Sequence, residues 1–451
     1  MFLSDGINRL KARKMKKILF YTSKNFIFRS GIIGYLYEIS QVYPVVLLSE
    51  ELDKETDELI RDKKLFPKLE EIIPVRQYGG ERINLFSKNR YLCKLAKNVI
   101  FKHRPDILIT TSDTHSLFEL YLMRFAKRTK AIKIAVQNSN VGNNAIVKKY
   151  IDLENANIRF PRFLPLWLRI FIMNCRKYAG HFLYYWLLPI TAGEKPFFGK
   201  VGHILWMGCS GRKDADYQTT FSERDYDTHI KDGVPAKKLY IVSHPIRGRA
   251  KEFFEKTALK SAEKDKTDKK IITFIWPAEE IGFRRVNYSL ISKEENQVIR
   301  KEIVSLAVKI LDNWKIFLKP HPDIKDLTEI KRNFQSLSNF IEITDQSDSI
   351  DKYLKISDVI VGIPPASTAI FTAFLLYPGK PLLTIDLSKE VFGDYYKDFD
   401  GIEYIDSKEK LIEILELIRD DRYQKKQTTS LKQEGSLGMV DFLKTIQLNK
   451  I

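Results

Sequence analysis

Lys319-Pro320-His321-Pro322 directly follows the apolar run Trp314–Leu318 (WKIFL). Two prolines fix the backbone and restrict the residue before each of them, so the imidazole of His321 is held on a rigid turn. Lys319 and His321 together form a cationic spot at the carboxyl end of an expected strand. That spot suits a monophosphate or diphosphate leaving group, because a positive charge where negative charge develops stabilises a transition state by roughly a few kcal/mol. Taken alone, the turn reads at least as readily as a strand terminator with an incidental histidine.

A second motif lies downstream. In Asp358–Phe371 (DVIVGIPPASTAIF) a buried strand is expected to end at Gly362, and Pro365-Ala366-Ser367-Thr368 leads into the helical run AIFTAFLL. The free backbone N–H groups at such a helix start bind anions, and Ser367 and Thr368 add hydroxyl donors. Ser367 also reads as a helix cap, which uses the same donors. Tyr377-Pro378-Gly379-Lys380-Pro381 then turns the chain into a further strand, and carries no function by itself.

These motifs need a scaffold. Lys17–Ser23, Val45–Ser49, Asp106–Thr111 and Ile132–Val136 are short apolar runs separated by helical stretches, among them Gly31–Tyr43. Ile271–Trp276, Trp314–Leu318, Asp358–Val361 and Pro381–Ile385 repeat the form, with Glu295–Leu311 and Ser407–Arg419 as helices, the second capped by Ser407. Apolar runs of this kind, alternating with helices, indicate parallel sheets covered on both faces. The expected fold is α/β, two Rossmann-like doubly wound domains facing a cleft. The expected division is 1–246, a linker over 247–270, a second domain over 271–425 and a tail over 426–451.

Ligands of open α/β sheets sit beyond the carboxyl ends of the strands. In the first domain, Asp113 and His115 follow the strand DILI and are both able to accept a proton. Gln137 and Asn138 follow IKIAV and are a second polar strand end. The turn at Ser30 and Gly31 lets a ligand approach the backbone closely. In the second domain Glu279 and Glu280 follow the first strand, placed either to bind a ligand or to stand in solvent.

Composition narrows the partners. The 451 residues carry 75 Lys and Arg against 57 Asp and Glu, a net charge of +18, with 44% hydrophobic residues. That content excludes disorder and a small disulfide scaffold. Cys93, Cys175 and Cys209 form no CxxC, which fits a reducing compartment. The first 23 residues lack the layout of a signal peptide. Phe160–Thr191 is rich in aromatic residues and leucine and carries Arg162, Arg169, Arg176 and Lys177 with no acidic residue. It suits a segment lying in a bilayer interface, or equally a buried helical pair whose cations reach solvent. No nucleic-acid module is recognisable, so no nucleic acid is expected as partner. There is no GxxxxGK[ST], no GxGxxG and no HExxH. Asp214-Ala215-Asp216 and Asp225-Tyr226-Asp227 spell DxD in charged, loop-like sequence, so both are expected to be solvated. No metal and no cofactor are expected.

The KPHP turn, SDVIVGIPPAST from Ser357 and YPGKPLLTID from Tyr377 together resemble the nucleotide-binding half of GT-B glycosyltransferases. More narrowly they resemble the group of Kdo transferases, sialyl- and polysialyltransferases and CDP-glycerol glycerophosphotransferases. DGVPAKKLYIVSHPI is similar to the stretch that closes the first domain in this fold and in sugar-nucleotide 2-epimerases. Ala366 departs from the pattern, standing where a second hydroxyl residue is expected. The resemblance implies that Lys319, His321, Ser367 and Thr368 grip a nucleotide phosphate, that Asp113 or His115 takes a proton from an acceptor hydroxyl, that Ser30, Gly31, Gln137 and Asn138 meet the acceptor, and that Glu279 or Glu280 binds the donor. It implies a metal-independent transfer of a sugar, CMP-activated Kdo or sialic acid among the candidates, from a nucleotide donor to a surface-glycan or lipid-linked acceptor. The enzyme would sit in the cytoplasm, peripheral on the inner face of an anionic membrane. A CDP-glycerol-type polyol-phosphate transferase and a sugar-nucleotide 2-epimerase are the alternatives among enzymes, and a basic nucleic-acid-binding protein the alternative outside them.

Overall fold

The computed structural model describes residues 16–22, 32–50, 52, 54–75, 84–111, 116–137, 164–165, 167–169, 171–172, 175, 183–197, 214–231, 233–245, 269–277, 293–321, 324, 326–346, 348, 350–363, 368–388, 396–397, 399–425 and 437–448. The first sheet is built from β1 (Ile18–Thr22), α1 (Ile33–Val42), β2 (Val45–Glu50), α2 (Lys54–Arg61), β3 (Leu69–Val75), α3 (Leu85–His103), β4 (Ile107–Thr110), α4 (Leu117–Arg128) and β5 (Ile132–Ala135). A π-helical turn, Leu183–Leu187, then runs into α5 (Leu188–Thr191), followed by β6 (Tyr217–Thr220), α6 (Glu223–Lys231) and β7 (Leu239–Ile241). Its strand order is β3-β2-β1-β4-β5-β6-β7, and every pair is parallel.

The second sheet takes β8 (Ile271–Trp276), α7 (Lys293–Ile310), β9 (Lys315–Pro320), α8 (Thr328–Asn333), β10 (Ile341–Ile343), α9 (Ile350–Ile356), β11 (Val359–Gly362), α10 (Thr368–Leu376), β12 (Leu382–Ile385), β13 (Glu403–Ile405) and α11 (Lys408–Arg419). Its order is β10-β9-β8-β11-β12-β13, again all parallel. Both orders reverse beside the first strand of their sheet, between β1 and β4 and between β8 and β11. Such reversals open a crevice at the carboxyl edge. The two-domain GT-B-like α/β fold is therefore present.

Apolar runs became strands because each must bury both faces. In β2, Val45 and Leu47 join one core while Val46 and Leu48 join the other. Ser407 caps α11 as expected, its Oγ accepting from the Lys410 N–H at 3.3 Å. Other elements lacked that signature. β6 reads YQTT, yet Gln218, Thr219 and Thr220 are buried, with Gln218 Nε2 donating to the Thr219 carbonyl at 2.8 Å. β3 contains Pro74, which an edge strand tolerates because one side of it needs no N–H. β9 runs on through Lys319 and Pro320, so the first proline of KPHP ends the strand from within it.

A further helix, α12 (Met439–Leu448), packs against the first sheet. Met439, Phe442, Leu443 and Ile446 are buried in the same core as Ile18 and Phe20 of β1 and Leu36 of α1. The residues leading into it are tied down as well: the Ser243 N–H donates to the Leu437 carbonyl at 2.9 Å, and Tyr35 Oη donates to the Ser243 carbonyl at 3.0 Å. The interdomain linker expected at 247–270 lies outside the described residues as far as 268.

Candidate functional site

Three neighbouring strands of the second sheet end together. Register pairs Ile275 with Lys319 and Trp276 with Pro320 on one side of β8, and Ile275 with Gly362 on the other. The His321 N–H donates to the Trp276 carbonyl at 2.9 Å, and its carbonyl accepts from the Ile324 N–H at 3.0 Å, so the turn is closed from both directions. His321 is half-buried, at the rim. α10 follows β11, a strand that lies two positions from β9, about 10 Å across the edge. Thr368 is the first residue of α10, while Ser367 lies outside the described residues.

α10 reaches that position by close approach. A Cβ built on Gly362 would lie 2.6 Å from Ile370 Cγ1 and 3.0 Å from its Cδ1, and Ile370 is fully buried. Only a residue without a side chain lets the helix settle onto the strand end here. The adjoining face of α10 is gripped by rings. His244, following β7 of the first sheet, packs its imidazole 4.5 Å from Phe221 and 4.9 Å from Phe371 of α10, both edge-on.

Lys319 has a different role from its neighbour. It is 3% exposed. Its Nζ donates to the carbonyls of Pro320 at 3.2 Å, Asp345 at 3.0 Å and Gln346 at 3.0 Å. The ammonium is thus committed to the backbone, tying the segment after β10 to the end of β9. Burial pushes its pKa down from 10.5 to about 8, with the Asp348 and Asp345 carboxylates opposing the shift. The sign of the stability effect follows. Between about pH 8 and 10.5 the unfolded chain holds a proton on this lysine that the folded chain has released, so stability rises with pH across that window. Urea melts at pH 7.5 and 10 should show a gain smaller in Lys319→Met than in wild type by up to about 3 kcal/mol, Lys380, also pushed down to about 8 by burial, keeping its own share in both. Equal pH responses would separate this amine from the titration.

In the first sheet, Gln137 follows β5 and is buried. Its Nε2 donates to Asp225 Oδ2 at 2.9 Å, and its Oε1 accepts from the Phe221 N–H at 3.1 Å. The carboxamide braces β5 against the β6–α6 junction. Asp113, His115, Asn138, Ser30, Gly31, Glu279 and Glu280 lie outside the described residues. What borders Asp113 and His115 is described: Glu119 accepts from Ser116 N at 3.1 Å in a capping box, and from Thr111 Oγ1 at 3.3 Å.

The expectation that both DxD triplets are solvated holds for Asp227, which is exposed, and is corrected for Asp225 and Asp216. Asp225 is buried on α6, capped by Ser222 and bonded by Gln137. Asp216 accepts from Lys133 at both its backbone N–H and Nζ, each 2.9 Å. Charge density disguised the helix that carries Asp225–Asp227 as loop, whereas Asp214–Asp216 does lie in loop just before β6. Among the described residues, no group of three or more His, Cys, Asp or Glu is placed to hold a metal ion.

Sequence reading passed over two groups at these edges. Glu50, the last residue of β2, accepts from Tyr21 Oη at 2.7 Å, and burial, with the charges of Glu119 and Glu50, holds that phenol well above its ordinary pKa. Arg300, buried on α7, places its guanidinium 5.9 Å from the ring of Trp276 at the end of β8. The available signal for Arg300 was a polar pair, Asn296 and Arg300, four residues apart and in line with the apolar stripe of Ile303, Val304 and Ala307.

No protein-family model matches the chain, and no curated protein matches it. Solved structures do. The UDP-GlcNAc 2-epimerase from Methanocaldococcus jannaschii superposes with a TM-score of 0.55 at 13% identity, covering 96% of this chain and 99% of that one. The S. aureus MnaA–UDP co-structure gives 0.53 at 13%, covering 97% and 98%. The Neisseria meningitidis UDP-GlcNAc 2-epimerase bound to UDP-GlcNAc gives 0.51 at 11%, covering 96% and 100%. At such identities the likeness is one of fold alone, and it runs along nearly the whole of each chain.

Proposed function

We propose that the chain is a nucleotide-sugar enzyme, and that it transfers the sugar to a surface-glycan or lipid-linked acceptor. The supporting observation is the shared carboxyl edge of β9, β8 and β11 beside a strand-order reversal: His321 follows β9, and α10 follows β11 two strands on, the strands themselves about 10 Å apart. The nucleotide phosphates bridge that gap, with the His321 imidazole on one side and the helix N–H groups, Ser367 and Thr368 on the other. Lys319 acts through its backbone ties, holding His321 in place. Asp113 or His115 takes the acceptor proton, Ser30, Gly31 and Asn138 line the acceptor side, and Glu279 and Glu280 meet the donor. Gln137 serves as a brace. As the glycosidic bond to phosphate breaks, the cationic edge neutralises the departing diphosphate or monophosphate. The first domain, 1–246, holds the acceptor and the second, 271–425, the nucleotide, with the 160–191 segment at an anionic membrane surface.

The test is a melting-temperature screen with CMP, CDP, UDP and GDP. One of them should raise the midpoint by several degrees at 100-fold excess over its Kd, equivalent to about 2.7 kcal/mol. If none moves it, the edge is not a nucleotide site. The CMP-sugar group is the preferred donor class, carried by the KPHP and PPAST motifs. The full-length fold likeness to 2-epimerases favours a second reading, in which the sugar is inverted at C2 and no acceptor is needed. Incubation with donor alone separates them, since an epimerised nucleotide sugar would exclude transfer as the sole activity.

A further inference from the structure

α3 carries a pattern that the nucleotide site does not use. Its 19 residues, LFSKNRYLCKLAKNVIFKH, hold five lysines and arginines, a terminal histidine and no acidic residue. Phe86, Arg90, Lys94, Lys97 and Phe101 are all exposed. At 100° per residue these five positions fall within an arc of about 80°, forming a stripe roughly 22 Å long with an aromatic ring at each end. Nearby carboxylates are taken elsewhere: Glu71 pairs with Lys102 at 3.1 Å, and Glu194 with Arg128 at 2.6 Å and Arg124 at 3.6 Å.

The stripe adjoins an apolar platform. Asn89 Nδ2 donates to the Leu188 carbonyl at 2.6 Å, Arg90 Nε donates to the Thr191 carbonyl at 2.8 Å, and Tyr121 Oη donates to Asn89 Oδ1 at 2.8 Å. Arg124 lies over the Phe197 ring at 3.7 Å. These contacts tie residues 188–197 to α3 and α4. Beside them Leu187 and Ile190 face solvent, Ile190 at 54% exposure. Upstream in the same aromatic-basic segment, Trp167 and Phe171 are 68% and 59% exposed.

We propose that the α3 stripe and the Leu187–Ile190 platform together form a docking face for an anionic phospholipid bilayer. The cations match the headgroups and the rings match the interfacial zone. Aliphatic side chains decide against a polyanion: Leu187 and Ile190 gain from acyl chains but cannot stack on bases or contact phosphate. The inference rests on the membrane reading of 160–191 for its partner, and extends it to a helix which that reading did not include. It is independent of the nucleotide site.

The experiment is co-sedimentation of the full chain with phosphatidylglycerol-containing vesicles and with pure phosphatidylcholine vesicles. Wild type should bind only the anionic ones. Lys94→Ser/Lys97→Ser should weaken that binding by roughly 25-fold, about fivefold per lysine, and Phe86→Ser/Ile190→Ser should weaken it at unchanged charge. Melting temperature and the nucleotide-induced shift should stay as in wild type, because all four side chains are exposed. Wild-type affinity in the lysine variant overturns the α3 face, even if Trp167→Ser/Phe171→Ser abolishes binding and so upholds the broader membrane reading. No vesicle binding by wild type overturns both. Loss with the lysines but none with Phe86→Ser/Ile190→Ser makes the face a polyanion site and overturns the lipid assignment.

Discussion

His321→Ala is expected to lower turnover of the nucleotide sugar by about 10²–10³-fold, the cost of removing one donor aimed at developing charge. The loss should appear in kcat as well as in kcat/KM, since the phosphate acquires its charge as the bond breaks. Stability should hardly change. The turn is closed by backbone bonds from His321 N to Trp276 and from Ile324 N to the His321 carbonyl, and both survive the substitution. The imidazole lies at the rim, where truncation leaves no buried cavity. A steady-state assay with the nucleotide identified by the melting screen is the measurement. Near-normal turnover in a folded variant would remove His321 from the chemistry.

Gly362→Ala carries the largest expected effect on stability. The new methyl group meets the inner part of the Ile370 side chain at 2.6 Å, and Ile370 is fully buried on a helix with apolar neighbours on every side. Relief requires α10 to lift from β11, which overpacking studies place at about 1–3 kcal/mol. Lifting also displaces the helix start proposed to meet the nucleotide, so the nucleotide-induced melting shift should shrink together with the midpoint. A midpoint unchanged from wild type would mean that α10 has slack, contrary to the packing. Equal loss of stability with a full nucleotide shift would detach the helix start from the site.

Continuous apolar runs made most of the scaffold legible. ILFYT, VVLLS and IITFIW have nothing to do in water and must be covered on both faces, so a parallel doubly wound sheet follows from them directly. Strands such as YQTT and EYI are buried by neighbours contributed from distant parts of the chain, and no local pattern announces that. The same holds for α12, whose partners Ile18 and Leu36 are hundreds of positions away. At the site, the position of His321 at a strand end was readable, because prolines and strand termination are local. The commitment of the Lys319 ammonium was not. Its acceptors, Asp345 and Gln346, follow a three-residue strand that sequence pattern does not reveal. Gln137 illustrates the same limit: a polar residue after a strand looks like a ligand group until the partner carboxylate, 88 positions on, is seen to hold it.

The seating of Met439–Leu448 on β1 and α1 has a consequence for biosynthesis. The side chains that cover β1 and α1 are made about 400 residues after them, a wait of roughly 20–80 s at ordinary elongation rates. Throughout that interval the first lobe shows a bare greasy flank to solvent. A chain that stalls short of Met439 would therefore yield a lobe that attracts chaperones instead of one that is merely less active.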